Sequence, residues 1–117
     1  TQVGSSAASD VYKRQITAGG VTFPEPDVSN CGGITVFIKI AHLAESFNLP
    51  VTSHGVHDLT VHLLAALPNR SNLEIHGFGL YRYIQEQVLI SDGNAIATER
   101  QCNGVYFNLE KLAELSF

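Results

Sequence analysis

Hydrophobic and polar positions in the middle of the chain follow first the spacing of a strand and then that of a helix. Residues 51–52 form a short β-favouring run that ends at a polar tip around His54. Apolar side chains over residues 59–67 then recur at helical spacing, and Pro68 closes the segment. This order of strand, polar tip and helix predicts a βα unit, and the tip of such a strand is where α/β enzymes display catalytic side chains.

The same pattern extends toward both ends of this unit. Residues 21–23 can form a strand before Pro24 and Pro26, and residues 34–48 show the broad apolar face of an amphipathic helix. Residues 71–75 supply a third strand. The order β, α, β, α, β with short connections predicts parallel strands and an α/β fold.

The last third of the chain changes character. Two short apolar runs, residues 88–90 and 95–97, flank the dipeptide Asp92-Gly93, which strongly favours a β-hairpin turn. We also predict a strand over residues 105–107 and a short final helix over residues 109–115, capped by Asn108.

Residues 1–15 share no period with the rest of the chain. They are mostly small and polar, a composition typical of segments that do not fold. Residues 9–15 also resemble a spurious translation of the kind found at the edges of assembled sequences. We therefore expect residues 1–15 to be a disordered or artefactual tail, with the folded protein beginning near Ile16.

Charge and cysteine content exclude several classes of partner. The 117 residues carry a net charge of −4 with only seven Lys and Arg, so we expect no nucleic-acid surface. No run approaches the roughly 20 apolar residues of a membrane span, so we expect no membrane contact. Cys31 and Cys102 form neither a disulfide framework nor a paired metal-ligand motif, which favours free thiols and a cytoplasmic protein.

Three polar side chains fall at the carboxyl ends of successive predicted strands: Asp27, His54 and Glu74. Such ends face one common site in a parallel barrel or sheet. A carboxylate beside an imidazole fixes its tautomer and leaves the other ring nitrogen free as a general base. Glu74 could then donate a hydrogen bond to the substrate, or accept one from it, as charge develops on the substrate. The competing interpretation of His54 is an ordinary loop histidine.

The other histidines raise the alternative of a zinc site. His54, His57 and His62 are close in sequence, but His57 and His62 are five residues apart and do not share a helix face. His76 faces the same side as Glu74 only if that strand continues. Cys31 follows Asp27 in a loop, where packing as a small apolar side chain is favoured over a nucleophilic role.

Several short segments agree in order and spacing with a known family. They are Pro26-Asp27-Val28-Ser29-Asn30, Gly32-Gly33-Ile34-Thr35, Lys39-Ile40-Ala41, Thr52-Ser53-His54-Gly55, His62-Leu63-Leu64-Ala65-Ala66, Leu73-Glu74 and Ile90-Ser91-Asp92-Gly93. The sequence over about residues 20–97 thereby resembles the mandelate racemase and muconate lactonizing branch of the enolase superfamily, including its sugar-acid dehydratases. Residues 98–104 depart from the ending usual in that branch.

The resemblance implies a (β/α)-barrel enzyme that removes the proton α to a carboxylate, with Mg²⁺ stabilising the enediolate. His54 would be the general acid/base, Asp27 its orienting partner, and Glu74 the group that hydrogen-bonds the substrate carboxylate. The implied substrate is an α-hydroxy acid or sugar acid. Dehydration and racemisation both remain open, and the implied full-length enzyme is a homo-oligomer.

The resemblance also implies that this chain is a C-terminal fragment, about the last three βα units, of a modified TIM barrel. Residues 16–86 would be the partial barrel, and residues 87–117, with the hairpin and short helix, a return segment toward a capping domain. The Mg²⁺ ligands and a second base would lie upstream, so we expect the fragment alone to be inactive. The alternative is a catalytically dead structural remnant or interaction module.

Overall fold

The computed structural model describes residues 4–76 and 80–115. The helices are α1 (Gly4–Thr17), α2 (Ile34–Ser46), α3 (His57–Ala65) and α4 (Leu109–Ala113), with a 3-10 turn at Leu80–Arg82. The strands are β1 (Val51–Ser53), β2 (Arg70–Leu73), β3 (Leu89–Ser91) and β4 (Asn94–Ile96). None of the helices in these ranges has both the length and the apolar character needed to span a membrane.

A parallel strand pair forms the centre of the fold. Val51 of β1 pairs with Arg70 of β2, and Ser53 pairs with Leu73, with one irregularity of register between them. α3 is the crossover between the two strands and packs against both. The predicted α/β order with parallel strands is confirmed over this unit.

The predicted strand over residues 21–23 is wrong in position, and an extended segment over residues 24–27 replaces it beside β1. The carbonyl oxygens of Pro24 and Pro26 accept hydrogen bonds from the backbone N–H groups of Thr52 (3.1 Å) and His54 (3.4 Å). Proline has no N–H to donate in return, so the segment pairs with β1 without becoming a regular strand. The two prolines therefore lie within the segment that pairs with β1, whereas the sequence predicted that the strand would end before them.

The N-terminal segment is a helix in the structure, which differs from the predicted tail. Tyr12 and Ile16, four residues apart on α1, pack against the core, and Ile16 is buried. The Tyr12 hydroxyl donates a hydrogen bond to the carbonyl of Glu25 at 2.9 Å. Side chains at i and i+4 share one face of a helix, so this apolar pair stabilises α1 although its sequence is otherwise polar. Residues 1–3 of the predicted tail lie outside the described residues.

The hydrophobic core lies between α1, α2, β1 and α3. Its buried members are Ile16, Val28, Cys31, Phe37, Ile40, Ala41, Ala44, Val51, Leu64 and Leu67. Phe37, in the first turn of α2, is fully buried, whereas Ile34 and Phe47, at the two ends of the apolar face predicted for that helix, are each more than 40% exposed. The burial of Cys31 agrees with the packing role predicted for it.

The C-terminal part follows the sequence prediction in two of its three elements. β3 and β4 form an antiparallel hairpin whose turn residues, Asp92 and Gly93, both have positive φ angles (51° and 76°). The side chain of Asn108 caps α4 by accepting a hydrogen bond from the backbone N–H of Lys111. The predicted strand over residues 105–107 is reduced to one antiparallel bridge, between Phe107 and Ile84.

Removing the Phe37 ring should cost about 3–5 kcal/mol of unfolding free energy, because Phe37→Ala leaves a cavity in a closed core. Phe47→Ala is the matched control and should cost clearly less, since the Phe47 side chain is 45% exposed in the folded chain. Urea unfolding followed by circular dichroism measures both. Equal losses for the two variants would contradict this placement of the core.

Candidate functional site

The three strand-end residues predicted from the sequence meet in the structure. Asp27 and His54 form an isolated parallel β-bridge, which places their side chains next to each other. Glu74 directly follows β2, and its backbone N–H donates a hydrogen bond to the hydroxyl of Ser53 at 3.3 Å. The pairing of β1 with its two extended neighbours therefore brings all three side chains to one end of the strands.

The imidazole of His54 lies between two carboxylates. Its Nδ1 is 3.6 Å from Oδ2 of Asp27, and its Nε2 is 3.7 Å from Oε2 of Glu74. These separations are slightly longer than hydrogen bonds. The His54 side chain is 49% exposed and that of Asp27 only 13%. One carboxylate thus supports the ring from within the protein, while the ring itself is open to a ligand.

Asp27 is held by its own loop. Its Oδ1 accepts hydrogen bonds from the backbone N–H (2.8 Å) and hydroxyl (2.6 Å) of Ser29, and its Oδ2 accepts one from Nδ2 of Asn30 (2.5 Å). Burial raises the pKa of Asp27, but the hydrogen bonds from Ser29 and Asn30, with a contribution from His54, lower it by a larger amount. The net effect is a pKa below the ordinary aspartate value, which keeps this group a carboxylate beside the imidazole.

Gly55 permits the close approach of Asp27 to the end of β1. It has a φ of 69°, and a Cβ atom built there would lie 2.7 Å from Oδ2 of Asp27. Its backbone N–H also points to Oε2 of Glu74, at 3.4 Å. Glycine is required here both for its backbone conformation and for the space occupied by the Asp27 carboxylate.

His76 also lies in the site, which the sequence left dependent on continuation of the strand. β2 ends at Leu73, and the side chains of Glu74 and His76 meet just beyond that end. Nε2 of His76 is 3.6 Å from Oε2 of Glu74, and its ring centroid is 5.7 Å from that of His54. Two imidazoles therefore share one carboxylate oxygen.

His57 and the buried Asp58, at the start of α3, lie next to His76. Oδ2 of Asp58 is 3.4 Å from Nε2 of His57, and the His57 ring contacts that of His76 edge to face, with centroids 6.1 Å apart. Oδ1 of Asp58 accepts a hydrogen bond from the backbone N–H of Val88 at 2.8 Å. Sequence reasoning missed this role of Asp58, because its partner Val88 lies thirty residues away.

The histidine cluster that the zinc alternative considered does not form. His57 is engaged with Asp58, and His62 lies against Gly104. Among the described residues, the group of three His, Cys, Asp or Glu side chains that could share an ion is His54, Glu74 and His76. Two of its ligand atoms are nitrogens, whereas Mg²⁺ prefers six oxygens, so the described residues do not fit a magnesium site.

Residues 5–111 match the family described as enolase C-terminal domain-like, and the chain belongs to this family. The match includes residues 98–104, which depart from the usual ending, and continues to residue 111. It also includes most of α1, the segment predicted as a tail.

Individual relatives are enzymes. The chain is 50% identical over 105 residues to a 3,6-anhydro-alpha-L-galactonate cycloisomerase of Streptomyces coelicolor, covering 90% of this chain and 29% of the relative. A racemase structure from Streptomyces coelicolor A3(2) with bound magnesium superposes with a TM-score of 0.84 at 46% identity, covering 92% of this chain and 29% of that one. An L-talarate dehydratase structure from Polaromonas sp. JS666, complexed with Mg and L-glucarate, gives 0.83 at 30% identity, with coverages of 90% and 29%.

The chain spans less than a third of the length of these relatives. The predicted membership in the mandelate racemase branch is confirmed. The predicted α/β fold is also confirmed, and it matches the C-terminal part of enolase-superfamily proteins.

Replacing Gly55 by Ala should destabilise the chain more than replacing Gly93 by Ala. Both positions have positive φ, which costs an alanine about 1–2 kcal/mol. At Gly93 nothing lies within 4 Å of the added Cβ, whereas at Gly55 the methyl group must also displace the hydrogen-bonded Asp27. Urea unfolding of the two variants measures the difference. Equal losses of unfolding free energy in the two variants would show that Asp27 can move away from the added methyl group without destabilising the fold.

The lowered pKa of Asp27 makes stability depend on pH below the unfolded value of about 3.9. The stabilisation is fully present above that pH and is lost as the pH falls through the lower folded pKa. Ser29→Ala removes one of the lowering hydrogen bonds, so the variant should be less stable at pH 6 and should lose less stability on acidification.

Denaturant unfolding at a series of pH values between about 6 and 2 measures this effect. Ser46→Ala is the control, because the Ser46 hydroxyl donates a hydrogen bond to the carbonyl of Leu43 in its own helix, far from Asp27 in the sequence. Parallel pH curves for the wild-type chain and Ser29→Ala would refute the assignment.

Proposed function

We propose that this chain provides the general acid/base of a magnesium-dependent enolase-superfamily enzyme that acts on a sugar acid. The observation that carries the proposal is the exposed imidazole of His54, supported at Nδ1 by the mostly buried Asp27 carboxylate and faced at Nε2 by Glu74. The names of the relatives, a cycloisomerase and a dehydratase of acid sugars, support the same class of substrate.

His54 removes the proton α to the substrate carboxylate. Asp27 accepts the Nδ1–H hydrogen bond and so selects the tautomer whose Nε2 lone pair faces the open side of the site. When the imidazole takes up the proton, the Asp27 carboxylate stabilises the resulting positive charge. The hydrogen bonds from Ser29 and Asn30 keep Asp27 ionised and oriented for this role.

Glu74 must turn away from His54 when substrate binds, because its Oε2 lies 3.7 Å from the nitrogen that receives the proton. The Glu74 side chain is 43% exposed, so this movement needs no repacking of the core. In its new position it hydrogen-bonds the substrate carboxylate, with His76 restricting its direction.

An elimination follows from the removal of the α-proton. The electron pair of the broken C–H bond forms a carbon–carbon double bond, and the bond between the β-carbon and its oxygen breaks. The departing oxygen takes the proton back from the imidazolium of His54. If that oxygen belongs to an anhydro ring, the ring opens with no loss of atoms; if it is a hydroxyl, water leaves. The enol then tautomerises to a 2-keto acid.

Ring opening is the first candidate, since the 50% identical relative is a cycloisomerase. Dehydration is the second. Racemisation is the alternative, in which the proton returns to the α-carbon itself. The similarity to the racemase structure supports this alternative.

Mg²⁺ in the full-length enzyme would supply electrophilic stabilisation of the enediolate. Its ligands would lie outside the described residues, which do not offer a suitable oxygen set. We further propose that the full-length protein is a cytoplasmic homo-oligomer, that residues 16–86 are part of its barrel and residues 87–117 its return segment, and that the chain alone does not turn over substrate.

A structural remnant or interaction module is the alternative function. Exposed apolar side chains on the hairpin favour it, since Leu89, Ile90 and Ile96 are each at least 45% exposed. In the enzyme, these side chains would be covered by the rest of the protein. Oligomerisation of the full-length protein without turnover of any sugar acid would support the alternative.

In the full-length enzyme, His54→Asn should reduce exchange of the substrate α-proton with deuterium oxide, and turnover, by about 10²–10⁴-fold, since proton transfer loses its acceptor. Asp27→Asn should impair the same step. Proton NMR of an anhydro-galactonate or a galactonate substrate measures both exchange and product. His42→Asn, an exposed histidine on α2, is the control. Normal exchange in His54→Asn would remove His54 from the base position.

A further inference from the structure

Two imidazoles and one carboxylate converge at the end of the parallel strands. Oε2 of Glu74 lies 3.7 Å from Nε2 of His54 and 3.6 Å from Nε2 of His76. One ligand atom from each of the three residues lies within 4.8 Å of the other two. We infer that His54, Glu74 and His76 form a binding site for a borderline divalent transition metal ion, with Zn²⁺ as the representative.

The spacing of the ligand atoms is close to that of a zinc site. Zn²⁺ binds imidazole nitrogen at about 2.0–2.1 Å and carboxylate oxygen at about 2.0–2.2 Å in a tetrahedral arrangement, which separates neighbouring ligand atoms by roughly 3.3–3.5 Å. The two separations that involve Glu74 exceed this range by a few tenths of an ångström. The third separation, between the ligand nitrogens of His54 and His76, is at most 4.8 Å. Rotations of the exposed His54 and Glu74 side chains would bring the three ligand atoms together around an ion.

Asp27 adds a second feature of metal sites. Histidine ligands generally direct their other ring nitrogen to a carboxylate, which orients the ring and makes it a better ligand. Nδ1 of His54 faces Asp27 in this way, at 3.6 Å, and Asp27 is itself fixed by Ser29 and Asn30. Nε2 of His54 is thereby directed at the position where the ion would lie.

The ligand set determines which ions bind. Two nitrogens and one oxygen suit Zn²⁺, Ni²⁺, Co²⁺ or Cu²⁺, whereas Mg²⁺ requires near-octahedral oxygen coordination. The site is therefore chemically distinct from the magnesium of the related structures. The ligand side chains of His54, Glu74 and His76 are 49%, 43% and 20% exposed, so a fourth coordination position is open to water or to an oxygen of a small anion.

Metal binding would compete with the proposed chemistry. The ion occupies Nε2 of His54, the nitrogen that takes up the α-proton, so Zn²⁺ should inhibit the full-length enzyme at saturating Mg²⁺. A chelator that binds Zn²⁺ far more tightly than Mg²⁺ should reverse the inhibition. This consequence depends on the proposed function of His54. Binding itself does not, because it follows from the three ligand atoms alone.

Titration of this chain with ZnCl₂ and CoCl₂ tests the inference without any assay of turnover. We expect one Zn²⁺ per chain by calorimetry, and visible Co²⁺ absorption bands typical of low coordination number that Zn²⁺ abolishes. MgCl₂ should not compete. Asp27→Asn should weaken Zn²⁺ binding by about 10–100-fold, as expected for loss of a group that orients a ligand.

His76→Ala should weaken Zn²⁺ binding more than Asp27→Asn does, because it removes a ligand. Glu74→Gln, which keeps the shape of the side chain, should weaken it as well, and circular dichroism confirms that each variant is folded. His42→Ala is the matched control and should bind like the wild type. The inference would be overturned if His76→Ala bound Zn²⁺ with wild-type affinity. It would also be overturned if Cys102→Ser, and not His76→Ala, lost Zn²⁺ binding.

Discussion

The position of the whole site depends on the backbone pairing between the proline-containing segment and β1. Pro24 and Pro26 offer only carbonyl oxygens to their neighbour, and β1 supplies the donors through Thr52 and His54. This pairing is just sufficient to carry the chain to the bridge between Asp27 and His54. The two hydrogen bonds hold the segment alongside β1, and the Asp27 carboxylate therefore lies beside the His54 imidazole at the end of both segments.

Electrostatics then divides the site into a fixed half and an adjustable half. Asp27 is mostly buried, accepts three hydrogen bonds and has a lowered pKa, so it stays charged and stationary. Glu74 is exposed and has two imidazoles within 3.7 Å. A proton acceptor needs a stable partner on one side and a replaceable one on the other. The same arrangement accommodates either a substrate or a metal ion.

Local sequence pattern predicted the parts of the structure that depend on neighbouring residues. Helical spacing and the tip at His54 gave the βα unit correctly, and the Asp92-Gly93 turn gave the hairpin. The convergence of Asp27, His54 and Glu74 was predicted because parallel strands end at one edge; their chemical roles stay predictions.

The rest depended on contacts that local pattern does not encode. α1 is stabilised through Tyr12 and Ile16, two apolar side chains whose value appears only when α2 packs against them. The proline segment pairs through carbonyl groups, which any residue possesses and no propensity records. The role of Asp58 was not predicted, since its partner Val88 is distant in sequence.

That bond between Asp58 and Val88 also limits where the chain can be divided. The Asp58 side chain is 3% exposed. It contacts His57 on one side and the backbone N–H of Val88, directly before β3, on the other. Proline at position 88, or a cut that separates residue 88 from α3, would leave a buried carboxylate oxygen without its donor, at a cost of several kcal/mol for a charged group. Because the donor is a backbone N–H, recombination of this domain with a related one should tolerate any residue except proline at position 88, provided that Asp58 is kept.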